Sequence, residues 1–388
     1  MAAYQFRTAG RVIAGVHVAE QAVDHIRELG TFRSVLVVSQ PSIQRSGYLD
    51  TLAAMLVQSG LSCRIYADVQ PEPTEEQLTG MHQQVVQGGS FDLIIGVGGG
   101  SVLDAVKLLA VMETNTMSIR EMLGTGLIAR AGLPTVMIPT TSGTGSEVTP
   151  NAIVTLPEEE LKVAAVSPYL YPQLVLLDPV LTLTLPPAIT AATGMDAFTH
   201  ALESYISQKA NPISDMFALE SIRLIASSLS EAYHDGGSLQ ARERMLVGSM
   251  YGGMALSSSG TAAVHALAYP LGGKFKIAHG VANAMLLTHV MAYNLDAITG
   301  RLAEVAAAMK LPSAEEGSDS QAAEGVIARI AEWTRELRIP QNLRDYGVGE
   351  ADLEPLTAAA SQVKRLLDNN PKPLDLDDIR RIYRQLMG

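Results

Sequence analysis

Apolar positions in the first half of the chain gather into short runs rich in β-branched residues, and the stretches between them carry helical spacing. Residues 34–39 (SVLVVS), 61–66 (LSCRIY), 91–97 (FDLIIGV) and 133–138 (LPTVMI) read as strands. Helical patterns follow Pro41, cover 74–87 with Thr74 as the N-cap, and open at Ser101 (SVLDAVKLLAVM). Strand and helix in alternation imply a parallel sheet covered by helices. After Pro186 the pattern changes. Residues 189–206, 213–233, 239–257, 281–295, 325–337 and 376–386 show helical periodicity, and strand signals nearly vanish. The prediction is an α/β domain with a Rossmann-like parallel sheet over 1–185 and an all-α domain over 186–388, divided at LTLPP (183–187). Residues 311–321 read as a surface loop.

Composition narrows the function. A chain of 388 residues suits two domains, and 47% hydrophobic residues supply large cores. A net charge of −12 argues against a nucleic-acid surface, which needs clustered Lys and Arg. Cys63 is the only cysteine, so neither an internal disulfide nor a cysteine-rich metal site forms; a reducing, cytoplasmic setting is expected. The first fifteen residues lack the apolar core of a signal peptide. Residues 246–273 carry no Asp, Glu, Lys or Arg and are long enough to span a bilayer. Their glycines, serines, His265 and Pro270 instead suggest buried helix and turn around a site, with no membrane association.

Chemistry concentrates in the second half. Asp196 and His200 are four apart, which stacks two side chains on one helix face. His265 and His279 lie in a second, mostly apolar segment. Alone, each is an ordinary buried polar residue. Together, one carboxylate and three neutral imidazoles suit a divalent transition metal such as Fe(II) or Zn(II). The remaining histidines differ: His17, His25, His82 and His234 sit in polar surroundings and read as surface, and His289 reads as structural.

Two turns upstream have phosphate chemistry. Gly96-Val97-Gly98-Gly99-Gly100-Ser101 follows a strand and opens a helix, so backbone amides and the helix dipole face an anion. The turn from Pro139 to Thr149 (PTTSGTGSEVT) adds six hydroxyls and two glycines after another strand. A metal and a phosphate-bearing dinucleotide in one chain point to hydride transfer.

GGGSVLDAVK, PTTSGTGSEVT, DPVLTLTLPPAITAATGMDAFTHALESYIS and HALAYPLGGKFKIAHGVANAMLLTHVMAYN resemble the iron-containing (group III) alcohol dehydrogenases. The resemblance covers about residues 5–385 and implies the dehydroquinate-synthase-like architecture, with an active site in a cleft between the domains. It places the metal ligands at Asp196, His200, His265 and His279. Pyrophosphate contacts fall at Gly98, Gly99, Gly100 and Ser101 and at Thr140, Thr141 and Ser146 through Thr149. Lys162 falls near the nicotinamide and Asn151 near substrate. A homodimer or larger homo-oligomer is expected.

Three departures matter. Relatives that prefer NAD often carry an Asp where Gln40 stands; an acid there repels a 2′-phosphate, so Gln40 admits NADP as well as NAD. Glu72 replaces a common Asn. Tyr269 replaces a His thought to help pass a proton; a phenol titrates near about 10 and imidazole near about 6.5, so Tyr269 is the poorer base and either relays through its hydroxyl or shapes the pocket. The expected function is interconversion of a small alcohol (or hydroxy acid) and its aldehyde or ketone. The alternatives are a maleylacetate-reductase-like or semialdehyde reductase, for which Lys274 or Lys276 would attract a carboxylate, and a non-catalytic metal and nucleotide binder.

Overall fold

The computed structural model describes residues 3–86 and 89–388. Its strands, in chain order, are β1 (Val12–Ala14), β2 (Ser34–Val38), β3 (Ser62–Tyr66), β4 (Leu93–Gly98), β5 (Gly124–Thr125), β6 (Thr135–Pro139), β7 (Asn151–Leu156), β8 (Leu161–Val166) and β9 (Leu174–Leu177). Six of them form a parallel sheet in the order β1-β9-β6-β4-β2-β3. β4, β6 and β9 are buried along their whole length, as their continuous apolar runs require of a sheet covered on both faces. Val35, Val37, Ile95, Val97, Val136 and Ile138 share a core with Ile26, Leu49 and Leu52 of the covering helices. The opposite face receives the helix Gly100–Met112; a Cβ on Gly96 would press on Leu103 and Val106 there.

β5, β8 and β7 form a second small sheet, with β7 and β8 antiparallel. This hairpin was not expected. Its first run, NAIVTL, is rich in β-branched residues, and the polar turn Pro157–Glu160 separates it from LKVAAV, whose alternation is weak. The helix expected over 74–87 forms as Glu75–Met81, capped by Thr74 and Gln77 in a reciprocal box, followed by a π-helical turn at His82–Val86; position 87 lies outside the described residues.

The chain divides into two compact units. The sheet unit comprises Thr8–Thr141 and Gly145–Leu183. The helical unit begins at Thr184, and residues 3–7 and Ser142–Thr144 also belong to it. Phe6 explains the first of these additions, stacking on Phe217 at 5.3 Å.

In the helical unit, Pro187–Ile206 is the central helix, buried without interruption from Gly194 to Ile206. It packs on Pro212–Ala226, Leu239–Ser259 and His279–Ala308. The run 213–233 is two helices, Pro212–Ala226 and Leu229–His234, parted at Ser227–Ser228. The pattern at 281–295 extends to the long helix His279–Ala308, and the loop expected at 311–321 contains one short turn of helix at Ser313–Glu316. The uncharged segment 246–273 is the end of Leu239–Ser259, a turn at Gly260 (φ 74°) and the helix Ala263–Phe275. Among the described residues no helix is long and apolar enough to cross a membrane.

Candidate functional site

Three helices bring the acid and the imidazoles together. Asp196 and His200 lie one turn apart on Pro187–Ile206, with Asp196 Oδ1 3.9 Å from His200 Nε2. His265 comes from the first turn of Ala263–Phe275, and His279 opens His279–Ala308. Their Nε2 atoms lie 3.8 and 3.7 Å from the same Asp196 oxygen. One ligand atom from each of the four lies within 4.8 Å of the others. Gly280 makes this approach possible: a Cβ there would sit 2.2 Å from the Ala192 carbonyl oxygen and 3.3 Å from Asp196 Cβ. The helix carrying His279 can therefore start against the backbone of the helix carrying Asp196.

Two residues absent from the sequence reading hold this group. Glu203 is fully buried and follows Asp196 and His200 by one more turn of the same helix face. Its carboxylate accepts from the Ala262 and Val264 N–H groups at 2.9 and 2.6 Å, capping a helix whose Ala262 has no side-chain cap to offer. It also contacts His265 Nδ1 at 2.6 Å. A proton on Nδ1 satisfies that contact and leaves the Nε2 lone pair facing Asp196. Gly143 O plays the same part for His200 Nδ1 at 3.3 Å. Asn283, one turn after His279, donates through Nδ2 to Asp196 Oδ1 at 2.7 Å.

The electrostatics agree with a cation site. Burial pushes the Asp196 carboxyl up, but His200, His279, His265 and the Asn283 hydrogen bond outweigh it and hold the pKa below the usual carboxylate range. Burial lowers His200, which favours the neutral imidazole a metal needs. One anionic oxygen and three imidazole nitrogens, two of them on rings whose Nδ1 partners fix the tautomer, fit a divalent transition metal. His279 is the open side: 27% of its side chain is exposed, against 3%, 8% and 3% for Asp196, His200 and His265. Tyr269 flanks that side, its ring 6.1 Å from His279, and is 8% exposed.

The glycine turn lies in the sheet unit, at the point where the strand order reverses. From β2 the chain moves outward to β3 and then returns to β4 on the other flank. Crevices at such reversals, beyond the carboxyl ends of the strands, are where open α/β sheets hold nucleotides. Gln40 follows β2 there, and Gly99, Gly100 and Ser101 follow β4. Ser39 Oγ donates to Val97 O at 2.6 Å and joins the two exits. Gly98 has a packing reason as well, since a Cβ would meet Val102 at 2.6 Å.

Ser101 Oγ accepts from the Glu72 N–H at 2.9 Å, which leaves its own O–H to donate to a ligand. Lys162, almost fully buried, pairs with Glu72 at 2.6 Å. The second turn is anchored to the first by the bond from Thr140 N to Gly98 O at 3.0 Å, and Thr141 lies against Gly99. Ser146 and Thr149, however, are engaged inside the unit. Ser146 donates to Asp104 at 2.5 Å, and Thr149 receives the Lys107 ammonium on its carbonyl and hydroxyl at 3.0 and 3.3 Å. The Asn151 carbonyl takes the same ammonium at 2.7 Å.

Other expectations resolve differently. His17, His82 and His234 pair with Glu20, Glu113 and Glu336. His25 is not a surface residue in the sense expected: both ring nitrogens are enclosed without a hydrogen-bond partner among the described residues, because its helix packs that face inward. Lys274 is held by Asp352 at 3.0 Å, and Lys276 takes the left-handed C-cap of Ala263–Phe275.

Residues 9–179 match the family model of the iron-containing alcohol dehydrogenases, and residues 190–387 match that family's C-terminal domain. The chain belongs to the iron-containing alcohol dehydrogenase family, metal-dependent oxidoreductases of alcohols and aldehydes linked to a nicotinamide cofactor. It is 43% identical to long-chain-alcohol dehydrogenase 1 of Geobacillus thermodenitrificans, over 94% of this chain and 92% of that one. The crystal structure of a 1,3-propanediol oxidoreductase superposes with a TM-score of 0.94 at 34% identity, covering 99% of this chain and 100% of that chain. Sulfoacetaldehyde reductase from Bifidobacterium kashiwanohense, solved in complex with NAD+, has a TM-score of 0.88 at 26% identity, covering 100% of both.

Proposed function

We propose that this chain interconverts a primary alcohol and its aldehyde, with Asp196, His200, His265 and His279 holding a divalent ion, Fe(II) before Zn(II). The convergence of those four donors within 4.8 Å carries the proposal. A dication held there supplies Lewis acidity to the substrate oxygen, and the nicotinamide supplies the hydride acceptor. The chain's own residues supply the rest. Glu203 and the Gly143 carbonyl keep the imidazole lone pairs turned inward. The exposed edge of His279 marks the side from which substrate arrives, and Tyr269 bounds it.

Gly99, Gly100, Ser101, Thr140 and Thr141 take the pyrophosphate, with the Ser101 hydroxyl as a donor. Ser146, Thr149 and Asn151 act from behind, keeping the second turn in place through Asp104 and Lys107. Lys162 acts near the nicotinamide as an ion pair with Glu72 rather than as a free cation. Gln40 leaves both NAD and NADP admissible, and the relative solved with NAD+ favours NAD. A single cysteine supports work in a reducing compartment such as the cytoplasm. With Lys274 already paired to Asp352, a carboxylate-bearing substrate is the weaker reading. The test is a panel of primary alcohols of increasing length against Fe(II)-loaded protein and each nucleotide. Reduction of NAD+ that ends on chelation supports the proposal; metal-bound protein that reduces neither nucleotide with any alcohol overturns it and favours a binding protein.

A further inference from the structure

We infer that Asn283 is a positioning residue for the metal ligands: its side-chain amide is a built-in partial positive charge that holds three of the four donor side chains in their ligating arrangement before an ion arrives. The inference rests on the metal reading above and deepens it. Asn283 is fully buried. Its Nδ2 lies 2.7 Å from Asp196 Oδ1, 3.1 Å from His265 Nε2 and 3.3 Å from His279 Nε2. Its Oδ1 is also enclosed and has no hydrogen-bond partner among the described residues.

The orientation of the amide follows from these neighbours. Turning it over would set Oδ1 against a carboxylate oxygen and two imidazole lone pairs, all electron-rich. With Nδ2 inward, two N–H groups are shared among three acceptors, and the unsatisfied oxygen is left on the far side. A buried carbonyl without a partner is a penalty that a fold devoted only to packing avoids, since an apolar side chain of the same shape would fill the space. Here the penalty has a return. Asp196 and the nitrogens of His265 and His279 stand 3.7–3.8 Å apart with like-facing lone pairs. Without a positive group between them they repel, and rotation of the side chains would relieve the repulsion. The Nδ2 hydrogens supply that group. They also donate only to imidazoles whose Nε2 is unprotonated, the form Glu203 sets for His265 from the other edge of the ring. An arriving ion takes over the single Nε2 lone pairs, while the bond to Asp196 Oδ1 persists because a carboxylate oxygen has a second lone pair.

The test is Asn283→Leu, which keeps the branched shape and removes the donors, with Asn283→Ala as the smaller alternative should leucine not be accommodated. Metal-free protein is checked for native far-UV circular dichroism, then titrated with Co(II) against a competing chelator while the visible ligand-field bands are recorded. The expected result is a Co(II) affinity lower by about 10–100-fold in a folded variant, with shifted bands, the range typical of groups that orient metal ligands. A folded Leu or Ala variant that binds Co(II) within about twofold of the wild type with the same spectrum overturns the inference and leaves the metal reading standing. A wild-type chain that binds no Co(II) overturns both.

Discussion

Replacing Glu203 with Gln separates the burial of a side chain from its charge. The substitution keeps the shape of a fully buried residue and exchanges one acceptor oxygen for an NH2 group. Three donors converge on the present carboxylate: Ala262 N, Val264 N and His265 Nδ1, at 2.9, 2.6 and 2.6 Å. Glutamine has one oxygen, so at least one buried N–H faces another N–H, at a cost of about 1–3 kcal/mol. The bonds that survive become neutral ones, each weaker by about 1 kcal/mol. The helical unit should therefore lose roughly 3–5 kcal/mol of stability. His265 keeps at best a neutral amide oxygen as partner for its Nδ1 proton, which weakens the preference for that tautomer, and a proton on Nε2 blocks ligation; metal affinity should fall by about 10–100-fold. Denaturant unfolding with excess chelator reads the first quantity, and chelator competition with Co(II) reads the second. A Gln variant that unfolds at the wild-type midpoint and keeps its metal within about twofold refutes the reasoning.

Three other outcomes are expected. Gly280→Ala forces a Cβ toward the Ala192 carbonyl, so the two helices must part and draw His279 from Asp196; bound metal should drop by at least about tenfold, with about 1–3 kcal/mol lost to overpacking, and unchanged metal content would contradict the packing argument. Burial pushes the Glu147 carboxyl up to about 7 from 4.5, beside Lys107 and Asp104. The folded sheet unit holds that proton more tightly than the unfolded chain. The resulting stability is full below about pH 4.5 and is lost as pH rises through about 7, by at most about 1.4 kcal/mol per unit. Glu147→Gln should flatten this slope in urea unfolding, and an unaltered slope assigns it elsewhere. Tyr269→His places an imidazole beside His279, so alcohol oxidation should reach half of its plateau rate at a lower pH; an unchanged pH–rate profile would restrict Tyr269 to shaping the pocket.

Much of this site was readable from residue spacing, and the remainder depends on how distant segments meet. Asp196 and His200 announce a shared helix face at i and i+4, and Glu203 continues it at i+7. Asn283 stands in the same relation to His279. Both followed from the same periodicity, but the partners that give them their roles are distant: Glu203 serves a helix whose N-cap lies 59 residues later, and Asn283 serves Asp196 at a separation of 87. Gly280 carries no sign in the local pattern of its contact with Ala192. The roles of Ser146 and Thr149 likewise turn on Asp104 and Lys107, whose inward direction the apolar helix around them conceals. The core strands were legible because a sheet covered on both faces demands unbroken apolar runs. The β7–β8 hairpin has weaker alternation and one partly exposed face, so its apolar signal is fainter than that of the core strands.

On the function proposed above, one ion at Asp196, His200, His265 and His279 makes this chain a dehydrogenase. Anaerobic titration of metal-free protein with Fe(II), following alcohol-dependent NAD(P)+ reduction and bound iron in the same samples, tests it most directly. Turnover should rise in proportion to iron and stop at one ion per chain, and His265→Ala should remove both. Full turnover in chelated protein, or iron bound at wild-type occupancy in His265→Ala, would contradict it.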